Sequence, residues 1–369
     1  MNTTFKVPLY SKLSQILLGI VILFFILYIG KEIIIPLIFS FFIAILLDPV
    51  VSYLCRRKVN RFVAIFISIL LAILSLSAII YFITSQIIMF GEMLPQLEEK
   101  IGTLISQSIQ WASQFFNLST ENINVWIAQM KNEALTAGKS LIGPTIISVG
   151  GLIAVFLLLP FYIFLILWYK KLFLEFISKL FPADKHNSVA EILVESKLLI
   201  HNYLIGLLAE TGMVAVLNTL GLIILGVDYA VLLGVIGALL NIIPYVGGIV
   251  AMALTMIIVL ATKSPIYALW VLLFFSIVQF IDNNIIVPKI VASKIKINEF
   301  ISIVAVLVGS ALWGIPGMFL SLPLVAILKV IFDRIEPLKP FGFLIGNTMS
   351  SNGIGLLKFS KKKVKASNS

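Results

Sequence analysis

Apolar residues run along this chain in blocks long enough to cross a bilayer, separated by short polar or basic stretches. Leu13–Ile29 and Ile33–Leu54 flank Gly30-Lys31-Glu32, a connection so short that the second block must return beside the first. The pair reads as a helical hairpin, with Pro36 in early turns, where proline costs little. Phe62–Thr84, Thr145–Trp168, Tyr203–Leu225 and Ile266–Ile281 predict further spans. A short helix with Phe173, Phe176, Ile177 and Leu180 on one face ends before Pro182, and a helix from about Asn187 is predicted to run on into the fifth span. Between Gln86 and Ser140 the pattern changes. Leu94, Leu97, Ile101, Leu104, Ile105, Ile109 and Ala112 recur at threes and fours among polar residues, and Val125, Ile127, Ala128 and Leu135 follow, which predicts two amphipathic helices.

Two apolar runs are too long for one span. Tyr229–Thr262 would extend roughly 50 Å as one helix, against a hydrocarbon core of about 30 Å. The break is expected at Asn241-Ile242-Ile243-Pro244-Tyr245-Val246-Gly247-Gly248, because Pro244 lacks an amide hydrogen and Gly247-Gly248 tolerate unusual backbone angles. Phe300–Phe332 is interrupted in the same way at Gly314-Ile315-Pro316-Gly317. Arms of about 14 residues, roughly 21 Å each, fall short of the core and predict re-entrant hairpins. If the first five spans alternate, the two hairpins enter from opposite faces, and their tips are expected to meet near the midplane as an inverted pair.

Composition fixes the class. With 60% hydrophobic and 12% charged residues in 369, the chain is an all-α polytopic membrane protein with about eight membrane elements, two of them broken hairpins, plus an extracytoplasmic amphipathic segment. Four regions are expected: spans one to three in 1–85, the amphipathic segment in 86–140, a membrane core with both hairpins in 141–335, and a basic cytoplasmic tail in 336–369 that looks poorly ordered. Leu13–Ile29 resembles a signal-peptide core, but no small-residue cleavage pattern follows it, so it reads as a retained span.

The net charge of +10 is explained by topology rather than by nucleic acid. Arg56, Arg57, Lys58 and Arg61, then Lys170-Lys171, then Lys289, Lys294 and Lys296, and finally Arg334, Lys339 and Lys361-Lys362-Lys363-Val364-Lys365 mark the cytoplasmic side, with both termini there. The last cluster could touch anionic lipid or be simply solvated. Five glutamates against three lysines in 86–140 suit the outer face. The single cysteine, Cys55, permits no intrachain disulfide and is assigned to packing.

Candidate chemistry is sparse. Glu210 lies inside the fifth span, where a charge costs roughly 2.5–3.5 kcal/mol, so it is expected to face a cavity or a partner and suits proton or cation exchange. Asp282, Asn283 and Asn284, followed by Pro288, form a polar knot that reads either as interfacial hydrogen bonding or as a gate. Asp48 and Asp282 could equally be helix-capping groups. The candidate transport path therefore comprises Glu210, Asn241, Pro244, Gly247, Gly248, Asp282, Asn283, Asn284, Pro288, Gly314, Pro316 and Gly317. His186 and His201 lack partners at ligand spacing and read as solvated, so no metal or other cofactor is expected. The motifs of serine hydrolases, zinc peptidases and ATP-binding loops are missing, which argues against an enzyme or an ATP-driven pump. A membrane scaffold or receptor without transport is the third class. It would need neither the broken runs nor the buried carboxyl.

The opening hairpin with Pro36 and Asp48-Pro49, then Tyr203 with Gly206, Asn241-Ile-Ile-Pro244-Tyr-Val-Gly247, Asp282-Asn283 with Pro288, and Gly314-Ile-Pro-Gly317 with Leu322-Pro323 occur in one order. In these blocks, over nearly its full length, the chain resembles the autoinducer-2 exporter family, also called PerM-like permeases. It departs from the family pattern at Leu207, where Gln is usual, and at Asn298-Glu299, where His-Pro is usual nearby. The resemblance implies a homo-oligomer in a bacterial cytoplasmic membrane that exports a small polar signal, or exchanges Na+ or Li+ for H+. It assigns no binding residue.

Overall fold

The computed structural model describes residues 8–91, 100, 102–103, 106–107, 110, 149–244, 246–292 and 297–346. The acidic amphipathic segment expected in 86–140 therefore lies almost wholly outside the described residues, as do Tyr245, Lys294, Lys296 and the basic cluster at 361–365.

The described helices are α1 (Leu9–Ile29), α2 (Lys31–Arg56), α3 (Arg61–Gly91), α4 (Val149–Trp168), α5 (Lys170–Leu180), α6 (His186–Ile224), α7 (Ala230–Asn241), α8 (Gly247–Thr262), α9 (Pro265–Ile281), α10 (Glu299–Arg334) and α11 (Lys339–Ile345). Asp282–Ile286 and Pro288–Ala292 continue α9 as wider π-helical turns. Six of the helices are long and apolar enough to cross a membrane. The chain is an all-α polytopic membrane protein.

α6 is the axis. Its 39 residues extend about 58 Å, well beyond a bilayer core. Its buried residues, among them Ile200, Tyr203, Leu207, Glu210, Val214, Asn218 and Gly221, recur at threes and fours and form one stripe. The helix ends where Gly226 takes φ +66, with the Val227 amide donating to the Leu222 carbonyl and the Gly226 amide to Ile223. This double closure satisfies the last carbonyls and turns the chain back, which glycine does without strain.

Apolar clusters among the described residues surround this axis, one of them joining Val214 of α6 to Ala238 of α7 and Ile286. α2, α3 and α4 pack around Ala44, Val51, Ala64, Ile65, Ile163 and Leu167. α7, α8 and α9 gather at the C-terminal half of α6 around Leu222, Leu233, Ala251, Val259, Val271 and Phe275. Between these groups, Phe42 and Ile45 of α2 meet Tyr203, Leu204 and Leu207 of α6 and Leu320 of α10.

The first broken run folds as a hairpin of α7 and α8, whose 12 and 16 residues reach about 18 and 24 Å, shorter than a bilayer core. A Cβ built on Gly247 would stand 1.7 Å from the Leu240 carbonyl oxygen, so these backbones touch. Gly247 and Gly248 both have negative φ and begin α8. The expectation that they supply unusual backbone angles is thus corrected: Gly247 is needed because nothing larger fits. The second run turns at Gly314 alone, with φ 63 and ψ −139, while Pro316 and Gly317 already belong to the returning arm. Gly309 and Gly317 are in backbone contact, each blocking a Cβ on the other, so the arms lie side by side as a hairpin. About 15 residues precede Gly314 and 20 follow it, so the arms are unequal where about 14 each was expected.

Within the tail expected to be poorly ordered from Glu336, Lys339–Ile345 form α11, and residues 347–369 lie outside the described residues. Asn298 explains this helix. Its side chain caps α10 by accepting from the Ile301 amide, and it donates to the carbonyls of Leu344, Ile345 and Gly346. One residue thereby closes the base of the second hairpin and holds α11 against it.

Candidate functional site

The two hairpins enter from opposite ends of α6. The first has its base at the Gly226 turn and runs back along α6, with Gly234 against Thr219 and Gly237 against Asn218. The second has its base at the other end, where Arg334 forms ion pairs with Glu191 at 3.8 Å and with Glu195 of α6. Their tips approach one stretch of the axis. Ile242 in the first turn and Trp313 beside the second both pack against the cluster containing Tyr203, Leu204 and Leu207. The Trp313 indole donates to the Leu27 carbonyl at 2.9 Å, which fixes this tip to the end of α1.

Polar groups concentrate at the first tip. Asn241, the last residue of α7, donates from Nδ2 to Asp282 Oδ2 at 2.9 Å. Asp282 is 2% exposed, although it follows an apolar helix, because the π-helical turns from Asp282 onward carry its side chain inward while Asn283 and Asn284 face outward. Glu210 is also buried, at 7% exposure, and stands within electrostatic reach of Asp282 and of the buried Tyr203. Nothing basic pairs with either carboxyl among the ion pairs of the described residues.

A small cavity opens between these groups, bounded by Asn218, Asn241, Gly248, Phe275, Gln279 and Asp282. It has room for about one water molecule. Asn218 and Asp282 line it, and the buried Oδ1 atom of each has no hydrogen-bond partner among the described residues. Such oxygens cost free energy unless a donor or a cation reaches them. Gln279 covers Gly248, where a Cβ would stand 2.2 Å from its Oε1, and donates to Asn283 Oδ1 at 3.3 Å. Among the described residues no three His, Cys, Asp or Glu side chains gather as a metal site.

Of the residues singled out in the sequence, the structure brings Asn241, Gly248 and Asp282 together at this cavity, with Glu210 beside it and Pro244 and Gly247 in the adjoining turn. Asn283 touches the group only through Gln279, while Asn284 donates to its own helix at Phe280 and Pro288 is exposed. Gly314, Pro316 and Gly317 form the other tip and do not line the cavity. Asp48 neither lines the cavity nor caps a helix: it accepts from Lys170 at 2.8 Å and from Lys197, tying α2 to the start of α5 and to α6.

Asn218 and Gln279 are additions. Asn218 stands two turns beyond Glu210, with Val214 between them at i+4, so the helical spacing of a polar residue inside an apolar span was the available signal. Gln279 had no comparable signal, because only the packing of α9 on the hairpin turns it toward Gly248.

Known proteins share this architecture in sequence. The profile described as "AI-2E family transporter" matches residues 17–336. YhhT of Escherichia coli (strain K12), which carries the provisional name of a transport protein, is 25% identical over 322 residues, covering 86% of this chain and 89% of its own. YrrI of Bacillus subtilis (strain 168), provisionally named in the same way, is 27% identical over 307 residues, covering 81% and 86%. The AI-2 transport protein TqsA of Escherichia coli (strain K12) is 24% identical over 307 residues, covering 83% and 87%. A buried polar tip between oppositely entering hairpins and a profile match along most of the chain lead to one conclusion: this protein belongs to the AI-2E transporter family and is a multi-pass membrane transporter.

Proposed function

We propose that the chain is a secondary transporter that exports a small polar solute, of the kind named for its relative TqsA, at the expense of an ion gradient. Glu210 and Asp282 serve as the coupling carboxyls, and the chain works as a homo-oligomer in the bacterial cytoplasmic membrane with both termini in the cytoplasm. The observation that carries this reading is the approach of both hairpin tips to one stretch of α6, at the level of two buried carboxyls without basic partners among the described residues. Irregular backbone inside a bilayer survives where protein or a polar cavity satisfies it, and secondary transporters place their sites at such meeting points. A cation or proton relieves the repulsion between two carboxyls in a dry site, so moving one can drive rearrangement of the tips. No catalytic role is assigned to any residue.

The cavity has room for about one water molecule, so a solute of several heavy atoms requires the hairpins to separate. That separation is the transport step in this reading. The test is flux in proteoliposomes under imposed Na+ or H+ gradients, with cells and vesicles lacking the protein as controls. Gradient-stimulated efflux of a small polar signal that Glu210→Gln abolishes supports the proposal. Flux indifferent to both gradients would overturn it.

One observation favours a second reading, exchange of Na+ or Li+ for H+. Asn218 and Asp282, each with a buried oxygen that has no partner among the described residues, line a space of ionic rather than organic size. Proton movement on addition of Na+ or Li+, lost in Asn218→Leu, selects this reading. Solute efflux without cation-driven proton movement rejects it.

A further inference from the structure

Most described helices are apolar around their circumference, but α5 is not. Lys171, Glu175, Ser178 and Lys179 share one arc of this helix, and Leu172, Phe173, Phe176, Ile177 and Leu180 occupy the opposite arc. Phe173, Phe176 and Leu180 are 48%, 58% and 61% exposed, and the one helix packed on α5 to any extent among the described residues is α4, which precedes it.

Its position is set by neighbours. α4 is a continuous apolar helix that ends at Trp168, and one non-helical residue, Tyr169, separates it from α5. Both aromatic side chains are exposed at this junction, the environment that tryptophan and tyrosine favour at headgroup level. Lys170 is held by Asp48 of α2, and Arg61 at the start of α3 donates to the Leu167 carbonyl at 2.7 Å. These bonds bring the Arg56–Arg57–Lys58 turn to the same end of the molecule. Exposed cations there are Arg56, Arg57, Lys58, Lys171, Lys179 and Lys185, against the acidic Glu175 and Asp184.

We propose that α5 lies in the bilayer surface rather than in solution. Its Phe173–Phe176–Leu180 arc enters the acyl boundary, and Lys171, with the Arg56–Lys58 turn, binds anionic lipid headgroups, while Lys179 pairs with Glu175. Continuity with the apolar helix α4 places the apolar arc beside lipid, and the excess of cations selects an anionic surface. The consequence reaches the membrane core, because Lys170 links the start of α5 to Asp48 and so to Lys197 on the axis.

The test uses the full chain with Cys55→Ser in nanodiscs, carrying one environment-sensitive fluorophore on Phe176→Cys or Lys179→Cys. The label at 176 should emit as in an apolar medium and be quenched by spin-labelled lipid, while the label at 179 emits as in water. Spin-labelled phosphatidylglycerol should quench at 176 more strongly than spin-labelled phosphatidylcholine, each cation contributing roughly fivefold to local preference. Arg57→Gln with Lys171→Gln should bring the two lipids toward equality. The label at Leu180→Cys repeats the measurement if Phe176→Cys does not fold. Water-like emission at the apolar positions overturns the proposal, as does equal quenching by both lipids. Disulfide formation between copies through Phe176→Cys without lipid quenching also overturns it, by making this face a subunit contact.

Discussion

The two hairpins have matching topology and different chemistry. The first is short, with glycines holding its backbones against each other and against α6, and it ends in Asn241 beside Asp282. The second has a longer returning arm, turns at a single glycine and ends in an apolar setting, where Trp313 is tied to α1 and Phe319 stacks on Phe39 at 5.5 Å. Opposite entry therefore does not create two equivalent half-sites. The polar groups sit at one tip, and the other tip supplies a packed, hydrogen-bonded surface against the same stretch of α6. The lesson is that a repeated interruption in the sequence predicts shared geometry, whereas chemistry depends on what the neighbouring helices contribute.

Backbone contact is the property the hairpins share, so it sets the largest expected effect. Gly247→Ala and Gly317→Ala place a methyl group against backbone that cannot move aside, at 1.7 Å from Leu240 O and 1.9 Å from Gly309 O. Overpacking costs about 1–3 kcal/mol in ordinary cores, and these sites should exceed that range. Both variants should lose monodisperse protein on size-exclusion chromatography, whereas Gly212→Ala, which meets nothing within 4 Å, should behave as the parent. Normal recovery of either variant would mean its hairpin is not closed as described. Gly226, although surrounded by space, is a poor control because its φ of +66 strains any larger residue.

The next effect should separate the tips. Glu210→Gln and Asp282→Asn keep size and hydrogen bonding while removing charge, so ion-driven flux should fall about tenfold or more, as loss of 1.4 kcal/mol of coupling suffices for that. Thermal stability in detergent should hold or rise, since a buried charge is removed. Undiminished flux in both variants would move the coupling group away from the first tip.

At the second tip the effects should fall on stability. Gly314→Ala forces a Cβ onto φ 63, ψ −139 and should cost about 1–3 kcal/mol, read as a lower melting temperature. Trp313→Phe removes one hydrogen bond to Leu27 and should cost about 1 kcal/mol, with flux nearly unchanged. A flux defect in Trp313→Phe as deep as that of Glu210→Gln would end the distinction between a chemical and a mechanical tip.

Much of the fold was legible because a bilayer leaves few choices. Apolar run length marked the spans, and the two runs too long for one span marked both hairpins, with Pro244 and Gly314 at or beside the breaks. Glu210 was legible for the same reason, as an expensive residue inside an apolar helix. The reason for Gly247 was not legible, since a close approach and a positive φ call for the same residue and only the position of Leu240 distinguishes them. The helix at Lys339–Ile345 was hidden as well, because its placement depends on Asn298, 46 to 48 residues from the carbonyls it binds.

By itself, the sequence determined the class of molecule, the number and place of the interruptions and the buried carboxyl at the fifth span, all consequences of transferring side chains and backbone into hydrocarbon. Only the tertiary structure decided which polar residues share a site. Asn218, Asn241 and the Gln279–Asp282 pair come from three segments, and their union at one cavity depends on how α7 and α9 pack on α6 and on the π-helical turn that directs Asp282 inward. Helix periodicity assigns a residue to a face of its own helix. Which neighbour that face meets, and at what height, is set by close packing between helices, and short-range sequence pattern does not encode it.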